Sequence, residues 1–350
     1  MRPGRSGARG LTLVELMVGM AVGLFVVLVA VAIFISTRTL HSVGSASTRM
    51  SENARLAMDV LQTDIRNAAF VGCRPLLNDA PIIVLLAGDG GFLSTGPGMM
   101  GYRGVGNGFS PALAGPVAAL PAASAPLPTS DVLSLRVPTD MAGLGIVAAM
   151  PSTLAAPQVA ASSPTNTLAA GDIVLVASCK ASSMFQVTEP NPAATGVLTH
   201  GLGGGFSPGN ATNDLQQRFR SDATVYKMET RHYYIAASAL RPGTNSLWRL
   251  VVPGGATEEV ASGIDRLLIT YGIDGGAAGQ QNVDHYAAAD AVTAWDKIVA
   301  VRLQMLVATA KDGVSRSNQS IDFGGSTVAF DDHRLRSVLS EVVTVRNGAP

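Results

Sequence analysis

The chain's 350 residues are enough for one large domain or two ordinary ones. Its 25 Lys and Arg balance 25 Asp and Glu, so no basic field would draw the whole molecule onto nucleic acid or anionic lipid, which excludes a purely electrostatic polyanion binder. Only 14% of residues are charged, against 38 Gly and 19 Pro, a balance that suits long loops around a sheet and argues against a helical bundle.

The first ten residues, MRPGRSGARG, owe their side-chain charge to Arg2, Arg5 and Arg9. From Leu16 to Ile35 the chain runs for 20 residues without a charge, long enough to cross a bilayer as a helix. The basic leader is expected on the cytoplasmic side of the inner membrane, with a single pass and the bulk of the chain in the periplasm. A secretory signal places its small-residue cleavage site after the apolar stretch. Here the candidate glycine, Gly10, precedes that stretch, so a cut there leaves the apolar helix on the product.

The run Arg9-Gly10-Leu11-Thr12-Leu13-Val14-Glu15 resembles the type IV prepilin signature: a glycine, an apolar first mature residue, Thr, two aliphatics, then Glu at the fifth mature position. The resemblance implies that a prepilin peptidase cuts between Gly10 and Leu11 and methylates the new amine of Leu11. Glu15 has its own physical argument, because a carboxylate one turn inside an apolar helix costs several kcal/mol without a partner. In a filament of parallel helices the Leu11 amine of a neighbouring subunit is the expected partner, and the pairing would set axial register. The bland reading leaves Glu15 at headgroup level, where it costs little. Gly19 and Gly23 form a small-xxx-small spacing that permits close helix approach in lipid.

Past the membrane, Leu40, Val43, Met50, Ala54, Ala57, Leu61, Ile65 and Ala68 mark one apolar face of a helix. With no Pro between Leu11 and Val71, one rod of roughly 90 Å is expected at 1.5 Å per residue. The expected organisation is a leader at 1–10, a membrane half-helix at 11–35, an amphipathic half-helix at 36–71 and a head at 72–350. Cys73 and Cys179 suit the oxidising periplasm, where such a pair is more often a disulfide than a metal or catalytic site. Their pairing would close a loop of about a hundred residues and contribute roughly 4 to 5 kcal/mol in the chain-entropy account.

Within the head, residues 88–128 are rich in Gly, Pro and Ala with little periodicity and read as a long surface insertion. Candidate strands are 132–137, 172–178, 184–188, 224–236, 246–252, 266–273, 297–309 and 338–346. In the seventh, Val301, Leu303 and Met305 would face the helix while Arg302 and Gln304 face solvent. A long helix on a mainly antiparallel sheet is an α+β arrangement.

Glu52-Asn53-Ala54-Arg55-Leu56-Ala57-Met58-Asp59 followed by Asp64-Ile65-Arg66-Asn67-Ala68 is similar to the corresponding stretch of the PilW family of minor pilins. Further resemblances are the stretch from Ser130-Asp131 to Leu135-Arg136, Cys179-Lys180 running into Phe185-Gln186-Val187-Thr188, and Arg241-Pro242-Gly243-Thr244-Asn245. Two more lie at Trp295 through Ala300-Val301-Arg302 and from His333-Arg334-Leu335-Arg336 to Val345-Arg346-Asn347. The resemblance implies a type IV pilin-like fold and a non-catalytic minor pilin that helps initiate or cap pilus assembly at the tip. It implies as partners the prepilin peptidase, other minor and major pilins through the N-terminal helix, and a large tip adhesin, with a final place in the pilus at the cell surface. Twitching, adhesion and DNA uptake are left open as the purpose.

Gly205-Phe206-Ser207-Pro208-Gly209 satisfies G-x-S-x-G, but no apolar strand precedes it and Pro follows the serine, so a loop is expected and not a nucleophile elbow. Gly108-Phe109-Ser110-Pro111 repeats the turn-like pattern. His41, His200, His232, His285 and His333 are scattered, no zinc spacing is present, and no cofactor or metal is expected. Asp274 and Asp284 flank a Gly-rich loop that lacks the EF-hand spacing for calcium. Tyr226, Tyr233, Tyr234 and Trp248 are expected in the core, and Lys227, Arg231 and Arg249 are too few for an aromatic DNA-stacking surface. A pseudopilin of a type II secretion system is the alternative, and a membrane-tethered periplasmic enzyme or binding protein the third reading.

Overall fold

A computed structural model describes residues 12–72, 82–88, 98–203, 205–276 and 282–345. Contacts divide the chain into two compact units, with the boundary between Arg49 and Met50. One helix, α1 (Leu13–Asn67), contributes to both. Its most apolar window has a mean hydropathy of 3.0 and no buried residue, and α1 is long and apolar enough to cross a membrane.

Among the described residues, the second unit is built on seventeen strands. In chain order they are β1 (Ile83–Val84), β2 (Met99–Val105), β3 (Gly108–Ser110), β4 (Val132–Pro138), β5 (Leu144–Ala148), β6 (Gln158–Val159), β7 (Ile173–Ala177) and β8 (Ser182–Gln186). Then follow β9 (Thr224–Ala237), β10 (Asn245–Val252), β11 (Ala256–Ser262), β12 (Ile264–Ile273), β13 (His285–Ala288), β14 (Ile298–Ala308), β15 (Ser320–Phe323), β16 (Ser326–Ala329) and β17 (Arg336–Thr344). Strands β1 to β11 make one large sheet, β13-β12-β14-β17 a second, and β15-β16 a hairpin. All pairings but the parallel β1–β8 contact are antiparallel. The architecture is α+β.

β9 is the hub of the large sheet. Its 14 residues carry β7 and then β10 along one edge, and β5 and then β4 along the other. Successive residues face opposite sides. Tyr233 and Ile235 therefore enter the core shared with α1, while Tyr234 and Ala236 enter a second core on the far face.

The first core joins three layers. From α1 it takes Ala54, Ala57, Leu61 and Ile65, from the turn after α1 it takes Ala68, from the large sheet Leu133, Leu135 and Val137, and from the small sheet Val301, Leu303 and Met305. The alternation expected at 301–305 is present: the three apolar residues are fully buried and Arg302 and Gln304 half-buried. Tyr233 and Tyr234 are fully buried and Trp248 nearly so, whereas Tyr226 is half-buried. The stripe drawn from the sequence holds from Met50 onward, but Leu40 is 68% exposed.

Three expectations differ from what is observed. First, α1 stops at Asn67 and not near residue 70, because Ala69 adopts a left-handed φ of 57° that ends the helix and turns Phe70 onto Tyr226, with ring centroids 4.7 Å apart. Second, segment 88–128 is no simple surface insertion: residues 89–97 lie outside the described residues, but Met99–Val105 is a strand of the large sheet with Met99 and Tyr102 buried. Gly101 in this strand leaves room for the Tyr271 hydroxyl where a Cβ would stand, which brings β2 against β12 of the other sheet. Third, the strands divide between a large sheet, a small sheet and a hairpin, and besides β2 the candidate strands omit β1, β3, β5, β6, β11, β13, β15 and β16.

The packing of α1 sets a stability prediction. Leu61→Ala, at a fully buried site, should lower unfolding free energy by about 2–5 kcal/mol in urea titration, whereas Leu56→Ala, at a half-exposed one, should stay within about 0.5 kcal/mol.

Candidate functional site

Gly10 and Leu11 lie outside the described residues. The first described residue, Thr12, caps α1. Its Oγ1 accepts the Glu15 N–H at 3.2 Å, while Glu15 Oε2 accepts the Thr12 backbone N–H and hydroxyl, each at 3.0 Å. This reciprocal arrangement is a capping box. The pattern Thr12-Leu13-Val14-Glu15 was its sequence signal, and the sequence reading, occupied with a partner from another subunit, missed it. Within a single chain the Glu15 carboxylate already has donors.

Cys73 also lies outside the described residues. Cys179 is exposed in the turn between β7 and β8. Gly72, with φ +90°, is packed so closely on Ala177 that a Cβ there would collide with the Ala177 methyl. The chain therefore leaves the α1 region beside the strand that leads into Cys179.

Further along α1, Asp64 is buried against β9. Arg231 Nη1 donates to Asp64 Oδ1 at 2.7 Å, the Tyr233 hydroxyl donates to Asp64 Oδ2, and Arg231 Nε reaches Glu229 Oε1 at 2.6 Å. Burial alone would discourage the Arg231 charge, but Asp64 and Glu229 outweigh it and hold the guanidinium protonated beyond its ordinary range. Burial, and then the Asp64 charge, push the Tyr233 hydroxyl up, so it keeps its proton and donates it to Asp64. Sequence reasoning placed Asp64 in a family-like stretch without a role; nothing local identifies a partner 167 residues away.

The two sheets are clipped together at Ser130-Asp131. Asp131 N–H donates to Leu267 O at 2.8 Å, Ser130 Oγ accepts the Leu267 N–H at 3.3 Å, and the Asp131 carboxylate accepts the N–H groups of Gly104 and Ile269 at 3.0 and 2.8 Å. Burial raises the Asp131 carboxyl from 3.8 to about 6, against the opposing pull of those two N–H groups and of Arg103, which is paired with Asp290 at 3.0 Å.

Beside this clip a cleft of about 270 Å³ opens between the β9–β10 turn, the start of β12 and the segment before β17. It gathers three stretches that are far apart in the chain: Thr129 next to the clip, Gly243 to Asn245, and Asp332 to Arg336. The β9–β10 turn is ordered by Glu259, whose carboxylate accepts from Ser238 Oγ, Ser246 Oγ and the N–H groups of Ala239 and Leu240.

The other residues singled out from sequence stand elsewhere. Gly205–Gly209 is a loop pinned by Gln186, whose Oε1 accepts the Gly209 N–H and whose Nε2 donates to Ser207 O. His200 is hydrogen-bonded to the Leu198 and Asn213 carbonyls, and burial lowers its affinity for a proton. His232 is joined to Ser134 at 2.6 Å. Gly108–Ser110 is a strand and not a free turn. Asp274 Oδ1 caps Gly276 and Asp284 lies against Gly275, with residues 277–281 between them outside the described residues. Among the described residues no three His, Cys, Asp or Glu side chains cluster as a metal site. Lys227 is paired with Asp172, Arg231 with Asp64 and Glu229, and Arg249 with Glu258.

Comparison with known proteins gives one family: the sequence profile of the type IV pilus-assembly protein W family, PilW, matches residues 232–347, one third of the chain. The match relates the chain to type IV pilus assembly and covers the second half of β9 through β17. No curated protein and no solved structure matches the chain significantly.

Two outcomes are expected. Asp64→Ala leaves the buried Arg231 paired with Glu229 but takes the Asp64 acceptor from both Arg231 and the Tyr233 hydroxyl, and should cost about 1–3 kcal/mol by urea unfolding. For Asp131, the folded chain holds the proton more tightly than the unfolded chain, so this group stabilises the fold most below 3.8 and the contribution is lost as pH rises through about 6. Asp131→Asn should remove up to about 3 kcal/mol of stability difference between pH 4 and pH 7, measured by urea titration at both.

Proposed function

We propose that the chain is a non-catalytic minor pilin with a pilin-like fold, cut between Gly10 and Leu11 by a prepilin peptidase, methylated on Leu11 and built into a type IV pilus through α1. The observation that carries this reading is the combination, in one chain, of a PilW match over 232–347 with an N-terminal helix that is apolar, exposed and membrane-length, and that begins at Thr12 and Glu15. A plain anchor needs about 20 apolar residues. Here the same helix goes on to bury Met50 to Ile65 in the head's main core, which suits a subunit that passes load from filament to head.

Glu15 has a role at each stage of this scheme. Before assembly its carboxylate is satisfied by Thr12; on assembly the charged Leu11 amine of a neighbouring subunit offers a stronger, charge-assisted partner. Before assembly the subunit sits in the inner membrane with its head in the periplasm. Its place is at or near the tip, with other minor pilins and a large adhesin, because a head this large is hard to repeat in every layer of a thin filament. A Cys73–Cys179 disulfide fits the close approach of Gly72 to Ala177 and would tie the end of α1 to the β7–β8 turn.

Intact mass and N-terminal sequencing of the membrane-extracted protein, from cells with and without prepilin peptidase, test this scheme. A start at methylated Leu11 that vanishes without the peptidase is expected. A retained Met1, or a cut after Ile35, would overturn it in favour of a tethered or secreted protein.

A further inference from the structure

The cleft beside Ser130-Asp131 holds more hydrogen-bond donors than it can use. Arg336 forms its inner wall and is fully engaged: Nε donates to Asp265 Oδ2 at 2.8 Å, Nη2 to Asp332 Oδ2 at 2.7 Å and Nη1 to Asp332 Oδ1, and the guanidinium lies 3.7 Å above the Phe330 ring. Arg334 is only partly engaged. Its Nη2 donates to Gly243 O at 2.7 Å, but its Nε is buried without a hydrogen bond, 3.8 Å from Asp332 Oδ2. Arg266 is half-buried in the same cleft, and its side chain makes no hydrogen bond or ion pair among the described residues.

Neighbouring residues in a regular strand point to opposite faces, so Asp265 and Arg266 would not normally line one cleft. A bulge between Ile264 and Arg266 in the β12–β14 pairing re-aims them, and both do. The carboxylates are meanwhile committed: Asp332 to Arg336 and the Arg334 N–H, Asp265 to Arg336. Three guanidiniums against two carboxylates leave one net positive charge, carried by the two arginines with free donors.

We propose that this cleft is an anion site that takes a carboxylate group. The volume suits one acidic residue or one acidic monosaccharide and is small for a larger ligand. A planar carboxylate matches the forked donors of arginine and neutralises the single excess charge. A phosphate dianion would overshoot that charge and press on Asp265 and Asp332. The cleft's chemistry is independent of how the N-terminus is processed.

The test uses the full chain in detergent micelles, with isotope-labelled arginine, titrated with sodium acetate at fixed ionic strength and read on the arginine Nε–H signals. Saturable movement of the Arg266 and Arg334 signals, absent when sodium chloride replaces acetate, is expected. Arg266→Gln, which removes no side-chain hydrogen bond or ion pair among the described residues, should raise the half-saturation concentration about tenfold with an unchanged circular dichroism spectrum. Arg334→Gln also releases Gly243, so Arg266→Gln carries the comparison. Parallel titrations with N-acetylglutamate amide and with galacturonate distinguish a protein carboxylate from an acidic sugar, the tighter probe naming the source. Shifts that grow linearly and equally in chloride, tighter binding of inorganic phosphate than of acetate, or an unchanged half-saturation in Arg266→Gln would overturn the proposal.

Discussion

The burial of one stripe of α1 and the turn after it, from Met50 to Ala68, against two sheets at once is the contact on which the rest of the head depends. Ala57, Leu61, Ile65 and Ala68 are shielded from water completely, and the residues that shield them come from β4, β9, β12 and β14. Hydrophobic burial is non-directional, so it holds the helix on the sheets without fixing where along them it sits. Asp64 supplies direction. Its two oxygens are taken by Arg231 and Tyr233, residues i and i+2 on one face of β9, and Asn53 Nδ2 adds a second fixed point at Ser262 O, 2.9 Å away. Apolar area supplies most of the energy and the ion pair supplies the register.

The same division of labour operates between the sheets. β2 and β12 approach closely only because Gly101 leaves space for the Tyr271 ring, and Ser130-Asp131 then stitches the sheets with main-chain and carboxylate bonds. The carboxylate is held in a desolvated place that opposes its own charge, which is why its proton affinity is raised. The arginine-lined cleft lies directly beside this stitch. A group bound there would touch the β9–β10 turn, the start of β12 and the lead into β17 together, and would reinforce a junction that otherwise depends on a few polar contacts.

Several short stretches that resembled PilW proteins in the sequence are brought together by the fold. Arg241–Asn245 and His333–Arg336 are about 90 residues apart in the chain, yet Arg334 donates to Gly243 O across 91 positions. The family profile spans both. The stretch around Asp64 lies outside the matched residues; of the two residues that bond the Asp64 carboxylate, Tyr233 lies within the match and Arg231 just before it, while Leu61 and Ile65 share a core with Val301, Leu303 and Met305 of the matched region.

Much of this protein was legible in its sequence because the signals are local and periodic. A charge-free run of 20 residues, a 3.6-residue stripe and strict alternation at 301–305 depend only on neighbours in the chain, and they gave the membrane-length helix, its buried face and most of the longer strands. The α+β class followed from them. What the sequence left hidden depends on distance. The strand at 99–105 is rich in Gly and reads as loop until Tyr271 is seen to occupy the space beside Gly101. Asp64, Asp131 and Arg336 are ordinary charged residues until burial and partners more than 60 positions away give them work. The cleft could not be read at all, since a bulge that turns Asp265 and Arg266 to one side leaves no mark in residue order. Local pattern determined which segments form helix and strand; only the tertiary structure decided which charges meet, because electrostatic and hydrogen-bond partners are chosen by proximity in space.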